Sequence, residues 1–359
     1  MNVSKLVYRI SESINHYRYN EPKVSDIDPY LCTHLHLINS FKHDENCKII
    51  YPNNEEILDM LNLKTKNPQL KILITLTPNN TCMSKLVSVM NSTSLNSFIT
   101  EVTDLVRKKK IDGVDLDWEF PNWSKDASET DKAGFKLRES FDKQYPKPLI
   151  SVAVPGPYHI AKAAYDISAL NRNVDFVQTM NYDFHVYSKQ LPFAALNAPL
   201  FKESFFEFGL SGRMNSDYST KYWVQNGLSK RKILFGIPTY GRGFTLVSSK
   251  LHFVFAPAKG VSKLGDSVTY SQVSNMLSKS PYLYGKDKQW FSYEDRLSTF
   301  IKAKYAKSTG LAGIMIFDLN SDDFSGKCGQ GKYPLIRAAK LGFEEETANK
   351  RTLNKFQIP

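Results

Sequence analysis

Eight short runs rich in β-branched and apolar residues recur along this chain, most of them separated by stretches of helix length. They are KLVYRI (5–10), THLHLIN (33–39), KILITL (71–76), GVDLDWE (113–119), LISVAV (149–154), DFVQTMNY (175–182), KILFGIP (232–238) and LAGIMIFD (311–318). Amphipathic stretches such as 94–110, 127–145 and 292–308 lie between them. Apolar strands that alternate with helices bury both faces of a mostly parallel sheet. Eight such units in one chain point to an α/β fold, the (β/α)8 TIM barrel. A doubly wound open sheet is the alternative, but no GxGxxG follows the first run. The stretch between the seventh and eighth runs is too long for one helical crossover. It contains HFVFAPA (252–258) and SVTYSQV (267–273), so a small α+β insertion is expected there. The chain is therefore divided into a barrel (1–245 and 311–345), an α+β insertion plus the following helix (246–310) and a polar C-terminal tail (346–359).

The fourth run raises a question of cost. DGVDLDWEFP (112–121) places Asp115, Asp117 and Glu119 on one strand face, with Leu116 and Trp118 on the other. Burying several carboxylates together is unfavourable by kilocalories unless each is paired or protonated. In a barrel, groups at the C-terminal ends of strands do the chemistry, and Glu119 ends this run. A general acid among crowded carboxylates can hold a proton near neutrality. The sixth run ends QTMNYD, which puts Met180 and Tyr182 on one face with Asp183 following. A Tyr hydroxyl there could hydrogen-bond a substrate oxygen carrying developing charge. On spacing alone three readings stand: catalytic acids, oxygen ligands for Ca2+ or Mg2+, or carboxylates that cap turns.

Composition narrows the function classes. The chain has 359 residues and a formal net charge of +11. Its densest basic runs, RKKK (107–110) and SKRK (229–232), each fall at a probable helix end, where cations complement the helix dipole. No RNP-like, zinc-finger or helix-turn-helix signature supports a nucleic-acid partner. No apolar run reaches the roughly 20 residues of a membrane span, and MNVSKLVYRI shows no signal-peptide pattern. Sequons at Asn2, Asn79, Asn91 and Asn122 would permit glycosylation after secretion. Cys32, Cys47, Cys82 and Cys328 form no CxxC pair, which argues against zinc. His34 and His36 share a strand face but have no third ligand nearby in sequence, and His185 reads as a groove-wall or packing residue.

DGVDLDWE resembles the DxxDxDxE signature of glycoside hydrolase family 18, the chitinases and chitinase-like lectins. The likeness runs over nearly the whole chain, through DIDPYLCTHL (26–35), LKTKNPQLKIL (63–73), MNYDFH (180–185), ILFGIPTYGRGFTL (233–246), QWFSYEDRLST (289–299) and DDFSGKCGQGKYPL (322–335). The animal, secreted branch is the nearest likeness, which implies an extracellular protein. The resemblance implies a retaining hydrolysis of β-1,4-linked N-acetylglucosamine in which the substrate's own acetamido oxygen is the nucleophile, an exception to the two-carboxylate scheme. Glu119 matches the general acid, Asp117 the residue that orients the acetamido N–H, and Asp115 its proton-exchanging partner. Tyr182 matches the hydroxyl that holds the acetamido carbonyl. Met180 and Asp183 match substrate contacts, Tyr240 and Arg242 the product-side groove, and Phe317 the platform under the cleaved sugar. The resemblance implies no cofactor, a monomer, and chitin or N-acetylglucosamine oligosaccharides as partners.

The sequence departs from the family along the sugar-binding floor. TLTPNN (75–80) replaces a Gly-Gly turn, Ser13 stands for an aromatic near the first strand's end, and Leu37 and Asn39 stand for an aromatic pair. Phe317 replaces a Trp, and the insertion is shorter than usual. Each lost platform could remove on the order of 1 kcal/mol of stacking. The likeness therefore implies either a weak or narrow hydrolase or a chitinase-like lectin that binds glycan without useful turnover. Cys32 and Cys328 match cysteines that the family usually bridges, but Tyr8 stands where the partner of Cys32 would be and the insertion has no Cys for Cys328. Free thiols or new pairings with Cys47 or Cys82 both remain open.

Overall fold

In the computed structural model, residues 5–11, 23–43, 49–50, 54–77, 93–120, 136–202, 209–274 and 282–345 are described. The four sequons, Ser13, Cys47, Cys82, residues 78–80 and the 346–359 tail lie outside them, as does the side chain of Asn39.

Eight parallel strands form one curled sheet: β1 (Lys5–Ser11), β2 (His34–His43), β3 (Lys71–Leu76), β4 (Gly113–Leu116), β5 (Leu149–Pro155), β6 (Phe176–Met180), β7 (Ile233–Pro238) and β8 (Gly313–Phe317). Neighbours in sequence are neighbours in the sheet, and β1 pairs with both β2 and β8, so the sheet meets itself. The result is a TIM-barrel-like fold. Helices 54–66, 93–109, 158–164, 167–173, 216–225, 296–308 and 334–344 fall between or after the strands.

The β-branched and leucine side chains divide into two cores. The larger lies between sheet and helices and includes Leu35, Val102, Val114, Val177, Phe235 and Ile316. A second cluster includes Leu73, Ala153, Phe176, Leu234 and Met315, extending to Met180, Tyr182 and Tyr240. Close strand contact demands glycine at Gly113, where a Cβ would come within 2.2 Å of the Leu149 carbonyl oxygen.

Helix ends follow the expected chemistry. Asp166, Asn215 and Asp295 cap helices 167–173, 216–225 and 296–308 by accepting backbone N–H bonds. At the other end of helix 167–173, Lys232 from the second basic run donates to the carbonyls of Asn171 and Val174.

Between β7 and β8 the chain runs through antiparallel strands at 240–246, 256–261, 267–269, 282–284 and 289–292. Strand 240–246 begins two residues after β7 ends and pairs with 256–261, 267–269 and 289–292. It thus carries Tyr240 and Arg242 from the barrel mouth into the second sheet.

Candidate active site

Asp115 lies deepest and is fully buried. Register places it opposite Thr75 on β3 and Ser151 on β5. Ser151 Oγ and Gln178 Nε2 donate to its Oδ1, each at 2.6 Å, and Thr75 Oγ1 donates to Oδ2 at 3.1 Å. Three converging donors offset the loss of water around a buried carboxylate. His36 Nδ1, equally buried, is 3.7 Å from Oδ2.

Asp117 is also buried, and its backbone N–H donates to the Leu76 carbonyl at 2.9 Å. β3 ends at Leu76 and β4 at Leu116, so the chain leaves the ladder before Glu119. Here the structure corrects the sequence reading: Glu119 is three residues past the strand end, and it is exposed at the barrel mouth rather than buried with the aspartates. Tyr165 underlies this turn and donates to the Trp118 carbonyl at 3.3 Å. Burial pushes its phenol well above the ordinary range, and the charges of Asp117 and Glu119 add to that. It stays a neutral donor.

A cavity of about 460 Å³ opens at the C-terminal end of the strands. Glu119, Met180, Tyr182, Asp183, Tyr240, Arg242 and Phe317 all lie in its wall, while Asp115 and Asp117 do not. Three rings form one side. Tyr182 is 5.6 Å from Phe317 and 5.9 Å from Tyr240, and Tyr240 is 5.9 Å from Phe317. Phe317 is set by a lock between β7 and β8: the Thr239 N–H donates to the Phe317 carbonyl at 2.8 Å, and the Asp318 N–H donates to Thr239 Oγ1 at 2.9 Å.

A charged clamp adjoins these rings at Tyr240. Asp183 adopts a left-handed conformation (φ 56°), and its N–H donates to Asn197 Oδ1 at 3.0 Å. Its Oδ1 accepts from the Tyr240 hydroxyl at 2.8 Å and from Arg242 Nε at 2.7 Å. Arg242 also pairs with Asp266 and sits 5.2 Å over the Tyr240 ring. Burial, with the charge of Asp183 next, holds the Tyr240 phenol well above its ordinary range. Burial is the largest single effect and opposes the Arg242 charge, but its bond to Asp183 and the charges of Asp183, Tyr240 and Asp266 together outweigh that and raise the pKa.

Sequence reasoning missed the partners of Asp115, and also Tyr165, Thr239 and Asp266. The alternation that found Asp115 also points Thr75, Ser151 and Gln178 inward, so that signal was available. Nothing local marks Asp266 or Thr239. Other expectations fall outside the cavity wall. Burial pushes the His185 imidazole down to about 4, and its ring packs 5.7 Å from Phe255. Leu37 is buried in the sheet–helix core. Cys32 and Cys328 are free thiols. Among the described residues no group of three or more His, Cys, Asp or Glu is placed to hold a metal ion.

Comparison with known proteins identifies the family and the fold. The profile for "Glycosyl hydrolases family 18" matches residues 7–322. Chitotriosidase-1 of Mus musculus is 33% identical over 353 residues, 90% of this chain and 74% of that protein. Chitinase-3-like protein 2 of Homo sapiens is 32% identical over 342 residues, 88% of this chain and 86% of that protein. Among solved structures, human YKL-39, described as a pseudo-chitinase with retained chitooligosaccharide binding, superposes with a TM-score of 0.84 at 28% identity, covering 96% of this chain and 100% of that one. The Group IV chitinase of Ostrinia furnacalis in complex with allosamidin gives 0.83 at 26% identity, covering 94% and 98%.

Proposed function

This chain belongs to glycosyl hydrolases family 18, and from that premise we propose that it hydrolyses β-1,4-linked N-acetylglucosamine in chito-oligosaccharides with retention. The observation that carries the reading is the meeting of Glu119 with Met180 and Tyr182 in one cavity wall, above the buried Asp117 and Asp115. A sugar stacked on Phe317 would bring its glycosidic oxygen to Glu119, which protonates it. The Tyr182 hydroxyl would hold the acetamido carbonyl while its oxygen attacks the anomeric carbon and the leaving sugar departs. Asp117 would take a hydrogen bond from the acetamido N–H and stabilise the oxazolinium-like intermediate. Asp115, anchored by its three donors, would exchange a proton with Asp117. Water activated by the ionised Glu119 then opens the intermediate, restores the acetamide and returns the proton to Glu119. Asp183, Tyr240 and Arg242 would line the product side of the groove.

A second reading, a chitinase-like lectin that binds such glycans with little or no hydrolysis, is favoured by the likeness to a pseudo-chitinase and by the substituted aromatics. In either case we read residues 246–310 as a shortened α+β insertion plus the following helix, and the protein as a secreted monomer.

The test is turnover of fluorogenic chitobiose and chitotriose substrates by the wild type and by Glu119→Gln. The hydrolase reading expects a loss of at least 100-fold on the scale of a removed general acid (~10²–10⁴). Equal rates in both proteins, with glycan binding retained, would establish the lectin instead.

A further inference from the structure

Away from this groove, the first basic run closes on a second cavity, at the opposite end of the barrel. It has a volume of about 500 Å³ and sits where β3, β4 and β5 begin. Among the described residues, Lys64, Lys71, Arg107, Lys110 and Lys147 line it, against a single lining carboxylate, Asp112.

Asp112 is shared by Lys64 (2.6 Å) and Lys71 (3.1 Å), and it also accepts the Ile72 N–H at 2.8 Å. Carboxylates outside the wall do not balance the rest. Asp104 pairs with Arg107 but also with Lys108. Asp142 pairs with Lys147 but also with Arg138, which Asp175 matches in turn. Lys110 makes no ion pair among the described residues. Among the described residues, the seven cations named (Lys64, Lys71, Arg107, Lys108, Lys110, Arg138 and Lys147) exceed the four carboxylates (Asp104, Asp112, Asp142 and Asp175) by three.

Helix dipoles account for part of the set, since Lys64 and Arg107 lie in the last turns of helices 54–66 and 93–109. They do not account for Lys71, which opens β3, or for Lys147, which lies in a loop; Lys110 directly follows its helix with φ 56°. Tyr145, completely exposed at 100%, stands beside these cations with its ring available for stacking.

We propose that this cavity is a second binding site, for the oxyanion of a sulfate or phosphate ester whose sugar or base rests on Tyr145. Converging ammonium and guanidinium groups around a concave wall suit a tetrahedral oxyanion, and the ring supplies an apolar surface for the group that carries it. The Lys64–Asp112–Lys71 bridge holds two of the cations in place without a ligand.

The experiment is calorimetric titration of the full chain with a heparin-type hexasaccharide and, separately, a nucleoside triphosphate. The variants are Lys110→Ala/Lys147→Ala and its charge-keeping counterpart Lys110→Arg/Lys147→Arg. Both side chains are exposed, so thermal melts should match the wild type. The proposal expects at least one ester to bind, with affinity falling as salt rises, about tenfold or more weaker in the alanine pair and recovered in the arginine pair. Binding must persist in saturating chitotetraose and in Glu119→Gln, which separates this site from the groove. Binding of the hexasaccharide alone assigns a sulfated sugar, and of the nucleotide alone a phosphate ester. Heat from neither, or equal affinity in the alanine pair, would overturn the proposal.

Discussion

Gln178 and Asp115 stand two strands apart in the sheet, and the Gln178 amide reaches the Asp115 carboxylate at 2.6 Å. Both are fully buried. Gln178 also reaches Ser151 Oγ at 3.3 Å, so one amide ties β4, β5 and β6 together beneath the candidate active site.

Replacing Gln178 by Leu should therefore destabilise the protein by about 1–3 kcal/mol, the cost of leaving a buried polar group short of a donor. Urea denaturation measures this. Ser151 and Thr75 still hold Asp115, so the protein should fold. A midpoint unchanged from wild type would show that the bond contributes nothing net.

Tyr182→Phe removes a hydroxyl from the cavity wall and keeps the ring against Phe317 and Tyr240. If the hydrolase reading holds, kcat for fluorogenic chitotriose should fall about 2- to 12-fold, one hydrogen bond's worth, with a smaller change in KM. A rise in KM alone would assign the hydroxyl to ground-state binding.

Tyr240→Phe takes one of the two donors from Asp183 but leaves Arg242 in place. Chito-oligosaccharide affinity, read by calorimetry, should weaken several-fold through the loosened clamp. Arg242→Ala should weaken it further, because it strips Asp183 and Asp266 of their shared cation at once.

Asp322, which follows the cavity-lining Ser321, sets a pH dependence in stability. It accepts the N–H groups of Leu335 and Ile336 at the start of helix 334–344 and is almost wholly buried. Burial raises its pKa to about 7, against the lowering effect of those donors. The folded pKa thus lies above the unfolded value of about 3.9. Its contribution to stability is full below about pH 4 and is lost as pH rises toward 7, by at most about 1.4 kcal/mol per unit. Asp322→Asn still accepts both N–H groups and should flatten that slope in denaturation curves taken at pH 4, 5.5 and 7.

The two described thiols should differ in reactivity. Burial pushes the Cys32 thiol up to about 12, whereas Cys328 is half-exposed and lies 2.8 Å from Ser274 Oγ. Native-state alkylation at pH 8 followed by peptide mass mapping should find Cys328 modified before Cys32. The reverse order would mean that helix 334–344 opens readily over Cys32.

Strand order was legible because eight short apolar, β-branched runs alternate with stretches of helix length, which leaves few architectures. Most site residues were legible because they end strands or follow them closely, as Tyr182 and Phe317 do. Where the ladder stops was not. Among the described residues the β3–β4 ladder ends at the Leu76–Leu116 pair, a fact about a neighbouring strand that the run GVDLDWE does not contain. Glu119 therefore reads as strand from its own residues and stands exposed in the fold. Asp112 shows the same gap: the DxxDxDxE pattern includes it, while its lysine partners, Lys64 and Lys71, lie more than 40 residues earlier.

The short strand β4 has a consequence for how this chain can change. Asp112 stands at its foot and Glu119 beyond its other end. Seven residues at strand rise put them on the order of 20 Å apart, against a screening length of about 8 Å at physiological salt. Charges gained or lost at one opening are then scarcely felt at the other. The two ends of the barrel can drift, or be engineered, as separate traits on one scaffold.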